Sequence, residues 1–258
     1  MFIFHISDLH YSYQGEKGIK RLRHVLDSIK KQDVKPDVIM VTGDLINRGF
    51  SDYGPVFQML KQLETPFLCI TGNHDNSEKL IAALKQYAPE HPLPEHDKRL
   101  DYVCNDFPLR FIALDSFMDG AAGGSVDDGQ LQWLEEKLAD DDGKPTVVMV
   151  HQFTVNAGLN FFDIKTRQSW CDKFNEIISR HRDTVKLVAC GHVHNGIHGT
   201  IAGVPIVASF SANWEAYYDF RPVEEMQDFK RQAGYYIHRF DGESIVSYAV
   251  TAGNAEPS

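Results

Sequence analysis

Short apolar, β-branched runs recur along the chain, separated by longer amphipathic stretches. The runs are Phe2–Ile6, Val38–Thr42, Phe67–Thr71, Leu109–Leu114, Thr146–Val150 and Val185–Cys190. Near-continuous apolar runs of this kind predict strands buried on both faces. Between them, apolar positions recur at helical spacing over Ile19–Lys31, Asp52–Leu63, Ser77–Tyr87, Asp127–Ala139 and Thr166–Arg182. Asn76 and Asp127 stand where a helix N-cap is wanted. The alternation predicts an α/β fold with a mixed, largely parallel sheet and helices outside it. After Gly191 the pattern shortens: Gly196–Ile201, Pro205–Ser209, Gly234–Phe240 and Ser244–Val250 read as strands, with Asp241-Gly242 as a hairpin turn. These predict a second, more antiparallel sheet completed by the C-terminal third. Without a linker or repeat, the expectation is one domain over 1–253, a surface loop over Ala88–Arg99, and a disordered tail at 254–258.

Composition narrows the class. The 258 residues are 43% hydrophobic and 24% charged, the balance of a globular chain. No apolar run approaches the ~20 residues of a membrane span. The N-terminus reads as a first strand rather than a signal peptide. The net charge of −10 (26 Lys and Arg against 36 Asp and Glu) disfavours a nucleic acid polymer as partner. It leaves room for a small phosphorylated substrate if metal ions supply positive charge. Four scattered cysteines without a CxxC predict free thiols and a cytoplasmic location. A homodimer or higher homo-oligomer stays open.

The informative residues are the histidines and acids that follow the apolar runs. Ile6 leads into Ser7-Asp8-Leu9-His10, Val41 into Thr42-Gly43-Asp44, and Ile70 into Thr71-Gly72-Asn73-His74-Asp75. Val150 leads into His151, and Cys190 into Gly191-His192-Val193-His194. Ligands of open α/β sheets bind beyond the carboxyl ends of strands, so the five clusters can meet in one crevice. Asp8 with His10, and His192 with His194, sit two apart; on extended backbone each pair points one way. The set is four imidazoles, two carboxylates and one amide oxygen, with no thiolate. Such mixed N and O donors suit Mn, Fe or Zn. Seven protein ligands are too many for one ion with an open position and suit two divalent or trivalent ions sharing a carboxylate.

The order Asp-x-His, Gly-Asp, Gly-Asn-His-Asp, His, Gly-His-x-His resembles the calcineurin-like metallophosphoesterases, from Asp8 to His194. The Ser-Asp-Leu-His start, Asn160-Phe161-Phe162-Asp163 and Tyr217-Tyr218-Asp219 are similar to the bacterial class III cyclic nucleotide phosphodiesterases and their glycerophosphodiesterase relatives. The resemblance implies a four-layer αββα sandwich, two mixed sheets flanked by helices. It implies one ion on Asp8, His10, Asp44 and His194, and another on Asp44, Asn73, His151 and His192. Asp44 would bridge, and a hydroxide between the ions would be the nucleophile. His74 would serve catalysis at the phosphoryl or leaving oxygen, with Asp75 orienting it. The chain departs from the His-His-Pro-Pro of many relatives at Val150-His151-Gln152-Phe153. The function implied is hydrolysis of a small phosphodiester, with a 3′,5′-cyclic nucleotide (cyclic AMP) first. A glycerophosphodiesterase or a broad phosphodiesterase/phosphomonoesterase is the alternative, and a non-catalytic binding protein the remote one.

Other residues carry plainer expectations. Asn47 and Arg48 can reach a substrate phosphate or form a helix-entry turn. His198 can approach the site. His5 reads as a hydrogen-bonded core residue, and His24, His91, His96, His181 and His238 as solvated. Trp214, Tyr217, Tyr218 and Phe220 either wall the pocket or pack in the core.

Overall fold

The structure, a computed structural model, describes residues 1–94, 98–140, 143–221, 228–229 and 233–253. The tail expected at 254–258 and His96 therefore lie outside the described residues. Sheet one has the order β13-β12-β1-β2-β3. Its parallel centre is β1 (Phe2–Ile6), β2 (Val38–Val41) and β3 (Phe67–Cys69). The hairpin β12 (Gly234–Phe240) and β13 (Ile245–Thr251) joins β1 antiparallel. Sheet two has the order β4-β5-β6-β7-β9-β8. Here β5 (Arg110–Leu114), β6 (Thr146–Val150), β7 (Val185–Cys190) and β9 (Val204–Ala208) run parallel. The edge strands β4 (Tyr102–Cys104) and β8 (Ile197–Ile201) run antiparallel to their neighbours. A two-residue pair, β10 (Glu215–Ala216) with β11 (Asp228–Phe229), lies outside both sheets.

The two-residue period of each strand divides its side chains between two cores. Phe111, Ala113, Val147, Met149, Leu187 and Ala189 pack in the core that also holds sheet one. Ile112, Leu114, Val148, Val150, Val188 and Cys190 pack in the core beneath α4 (Asp128–Ala139) and α6 (Trp170–Arg180). α1 (Glu16–Lys30), α2 (Gly54–Lys61) and α3 (Ser77–Tyr87) bury apolar faces in the core of sheet one. Phe4 stacks on Tyr235, whose hydroxyl receives a bond from Gln32 just beyond α1, which marks that face as the outer one. The result is two mixed sheets packed together with helices outside. Asn76 caps α3 by accepting from the Lys79 amide, and Asp127 with Gln130 forms a reciprocal capping box on α4.

Three expectations are corrected. The early strands do not form one sheet: β1–β3 and β5–β7 belong to different sheets. The C-terminal third does not complete a sheet of its own; β8 and β9 extend sheet two and β12 and β13 extend sheet one. Periodicity gives strand existence, whereas pairing is set by long-range packing. The segment Ala88–Arg99 is not merely surface. Ala88 and His91 are buried, and His91 Nε2 accepts from the Cys69 amide at 3.0 Å. A short helix, α5 (Asn160–Lys165), and strand β4 were not anticipated.

Candidate metal centre

All five ligand clusters sit on turns beyond the C-terminal ends of β1, β2, β3, β6 and β7, and these ends gather at one edge of the sandwich. Asp8, His10, Asp44 and His194 offer ligand atoms that all lie within 4.8 Å of one another, and all four are buried. His10 Nε2 is 3.0 Å from His194 Nε2 and 3.4 Å from Asp44 Oδ2, and His194 Nε2 is 3.2 Å from Asp8 Oδ1. A second group adjoins it. Asn73 Oδ1 lies 3.2 Å from His151 Nε2 and 2.9 Å from His192 Nδ1, and His151 Nε2 is 3.6 Å from Asp44 Oδ2. Asp44 Oδ2 thus stands between the groups.

The backbone that achieves this is not extended. Asp8, His10, Asp44, His192 and His194 all have φ between 40° and 70°. The spacing of two therefore works through left-handed turns, where Asp and His are tolerated and strain gathers at functional sites. The pair His192 and His194 consequently diverges, one ring to each group. Gly72 is required for closeness: a Cβ there would stand 2.1 Å from Asp44 Oδ1 and 2.4 Å from Asp44 N. At Gly191 a Cβ would meet Ser7 Oγ at 1.8 Å. Main-chain bonds join the turns, from the Asp8 amide to the Gly43 carbonyl and from the His10 amide to the Asp44 carbonyl.

Hydrogen-bond polarity tests whether cations fit. The Trp214 carbonyl lies 3.2 Å from His194 Nδ1 and the Thr42 carbonyl 2.7 Å from His151 Nδ1. A carbonyl only accepts, so each Nδ1 carries a proton and Nε2 is the nitrogen turned inward. The His74 amide donates to Asp44 Oδ1 at 2.8 Å, which leaves Oδ2 facing the rings. Lone pairs thus converge on carboxylate and amide oxygens, an arrangement that a cation resolves. Burial works against the charge of the acids, but neighbouring imidazoles outweigh it: Asp8 falls to about 2 and Asp44 well below the carboxylate range. Burial lowers His10 and His192 to about 3, so both are neutral donors. At His151 burial is opposed by Asp44, which raises its pKa to about 9: without a cation, a proton on Nε2 takes that place.

Asp75 bonds main-chain amides of two turns. The Asp75 carboxylate accepts from the Leu45 amide at 3.1 Å, the Ile46 amide at 3.3 Å and the Gly72 amide at 2.8 Å, clamping the β2 turn to the β3 turn. Burial, then Asp44, raise its pKa to about 7 while those amides oppose the rise. His74 is oriented instead by the Arg48 amide, which donates to Nδ1 at 3.3 Å and leaves the proton on Nε2. The Arg48 guanidinium reaches the Asn73 carbonyl at 3.3 Å, so Arg48 adjoins the site. Asn47 is held in the same turn by main-chain bonds to Tyr11 and Phe50. His198 is not brought in: it lies on β8 with its ring against Tyr236. His238 is buried rather than solvated, bonded to His5, which is the core residue expected. His24 and His181 are half-buried.

Trp214 packs edge-on against His194 at 3.9 Å and Phe162 against His192 at 5.5 Å, whereas Phe220 is exposed. Gln152, in place of the missing His-His-Pro-Pro, accepts from Ser116 Oγ at 2.5 Å and ties down the loop after β5. Thr42 and Thr71 are not singled out by the ligand pattern. Each precedes a glycine in a Thr-Gly pair, and that repeated pair was the available signal. Thr42 bonds the Cys190 carbonyl at 2.9 Å and Thr71 bonds Asp115 at 2.5 Å, both between the two sheets.

The sequence profile of the calcineurin-like phosphoesterases matches residues 1–196. A glycerophosphodiester phosphodiesterase, GpdQ, of Enterobacter lignolyticus is 29% identical, covering 96% of this chain and 90% of its own. A probable cyclic nucleotide phosphodiesterase of Rhodococcus erythropolis is 28% identical, covering 81% and 70%. Among solved structures, the purple acid phosphatase PPD1 of yellow lupin superposes with a TM-score of 0.68 at 13% identity. That match spans 99% of this chain and 52% of that one, a likeness of fold. Profile, relatives and fold agree with the buried acid–imidazole cluster, and the chain belongs to the calcineurin-like phosphoesterases, as a metal-dependent phosphoric diester hydrolase.

Proposed function

We propose that the chain, a single domain over 1–253, is a binuclear-metal phosphodiesterase acting on small phosphodiesters. The observation that carries this is Asp44 Oδ2, 3.4 Å from His10 Nε2 and 3.6 Å from His151 Nε2, between two donor groups. Asp8, His10, Asp44 and His194 would hold one ion, and Asp44, Asn73, His151 and His192 the other. Two cations there, drawn from Mn, Fe or Zn, would neutralise phosphoryl oxygens and activate the attacking water. The chain's own residues do the rest. Burial lowers the pKa of His74, so the neutral ring donates Nε2–H to the ester or leaving oxygen. The exposed Arg48 beside it adds positive charge for an anionic ester in a chain of net charge −10.

Glycerophosphodiesters are the first substrate class, supported by the relative that matches 96% of the chain. 3′,5′-Cyclic nucleotides are the second, supported by the Rhodococcus relative and by Tyr13 and Trp214, whose rings lie 5.7 Å apart beside His10. The four free, buried thiols fit a reducing cytoplasm. The test loads metal-free protein with Mn²⁺, Fe²⁺ or Zn²⁺ and offers glycerophosphodiesters, cyclic AMP and p-nitrophenyl mono- and diesters. Turnover of one natural diester with kcat/KM of at least ~10⁴ M⁻¹s⁻¹ is expected of the loaded enzyme. Equal, slow turnover with and without metal overturns the reading.

A further inference from the structure

A buried chain of hydrogen bonds crosses sheet one to the second donor group. His238 Nδ1 is 2.7 Å from Ser247 Oγ, His238 Nε2 is 3.1 Å from His5 Nδ1, and His5 Nε2 is 2.8 Å from Thr42 Oγ1. One end fixes its direction. Thr42 Oγ1 donates to the Cys190 carbonyl, so His5 Nε2 must donate to Thr42. His5 Nδ1 then holds a lone pair and accepts from His238 Nε2–H, and His238 Nδ1 accepts from Ser247. Both rings are neutral and each has one tautomer, in keeping with the strong lowering of both pKa values by burial.

Thr42 is the junction. Its carbonyl accepts from His151 Nδ1–H at 2.7 Å, its hydroxyl holds the strand that runs into His192, and Asp44 lies two residues on. His5 itself stands three residues before Asp8 on β1. We propose that His5 is a positioning residue for the second ion: through Thr42 it fixes the carbonyl that keeps the His151 lone pair on the metal side. The inference rests on the binuclear reading above. It gives a function to a buried imidazole pair joined by a hydrogen bond between neighbouring strands.

The test compares His5→Phe, His5→Asn and His5→Gln with wild type and with Phe57→Leu, a change in the core beneath α2 chosen as a stability control. Gln keeps a donor where Nε2 stands; Asn keeps contact with His238 alone. Calorimetric titration of metal-free protein with Mn²⁺ should show the weaker equivalent about 10- to 100-fold weaker in His5→Phe and His5→Asn. It should be near wild type in His5→Gln and Phe57→Leu, and only in His5→Phe and His5→Asn should kcat fall with KM little changed. In metal-free protein, the protected imidazole N–H resonance of His151 should disappear in Phe and Asn and persist in Gln. Asn covers the case in which Phe does not fold. The proposal is overturned if Phe57→Leu weakens Mn²⁺ as much, or if the His151 N–H stays protected in both Phe and Asn. Failure of wild type to take up Mn²⁺ would instead overturn the binuclear reading, and the N–H readout would still decide the relay.

Discussion

His74 is a donor because of what stands behind it. The Arg48 amide occupies Nδ1, so the ring can offer only Nε2–H inward. His74→Ala should therefore lower kcat by about 10²- to 10³-fold while Mn²⁺ affinity, read by calorimetry, stays close to wild type. A parallel loss of metal would place His74 among the ligands instead. If His151 holds an ion as proposed, metal uptake should depend on pH. Asp44 lifts its pKa to about 9 against the effect of burial, so below that pH a cation must displace a proton. Affinity for one ion should rise about tenfold per pH unit from pH 6 toward 9 and then level off, with proton release measurable in weak buffer. A flat profile would mean that Nε2 carries no displaceable proton.

At the scale of elements, the centre is a set of turns held against one another. Asp75 bonds three amides from two turns, the Asp8 carboxylate accepts from the His192 amide at 3.1 Å, and Ser211 Oγ donates to the Asp8 carbonyl. The left-handed residues Asp8, His10, Asp44, His192 and His194 persist because these bonds over-determine them. Gly72→Ala forces a Cβ into Asp44 Oδ1 and its amide. The expected outcome is loss of activity by at least about 10²-fold and loss of one Mn²⁺ equivalent, with the far-ultraviolet circular dichroism retained. Gly49→Ala, where the added Cβ meets nothing within 4 Å but φ is +87°, should cost about 1 kcal/mol of stability and leave stoichiometry intact.

Across the whole molecule, the interior between the sheets is both apolar and polar. His5, Thr42, Thr71, Asp115 and Ser209 are fully buried, each with a hydrogen-bond partner. Buried neutral histidines have a cost in acid. Burial lowers His5 to about 3 and His91 to about 4, while the unfolded chain titrates near the ordinary value of 6.5. As pH falls below about 6.5 the unfolded state takes up protons that the folded state refuses, so stability is lost in that direction. Each such histidine contributes about 1.4 kcal/mol per pH unit. Urea midpoints at pH 7 and 4.5 should thus show a slope about one proton smaller in His91→Gln than in wild type; equal slopes would mean that His91 titrates normally.

The sequence by itself determined a great deal that is local. The strands Phe2–Ile6, Thr146–Val150 and Val185–Cys190 and the helix Ser77–Tyr87 were legible to the residue, because burial on both faces and capping write themselves into short windows. The candidate residues that the structure brings together were legible because each follows a strand in a cluster of rare residue types. Tertiary structure alone decided how β8, β9, β12 and β13 divide between the sheets, since pairing partners lie far apart in sequence. It decided that Asp75 clamps amides and that Arg48 orients His74, because both depend on two turns meeting about 30 residues apart in the chain. It also decided that His238 is buried. Strand periodicity alone does not say which face meets a second sheet, and only the packing of that sheet turns His238 from an expected surface residue into a buried one bonded to His5.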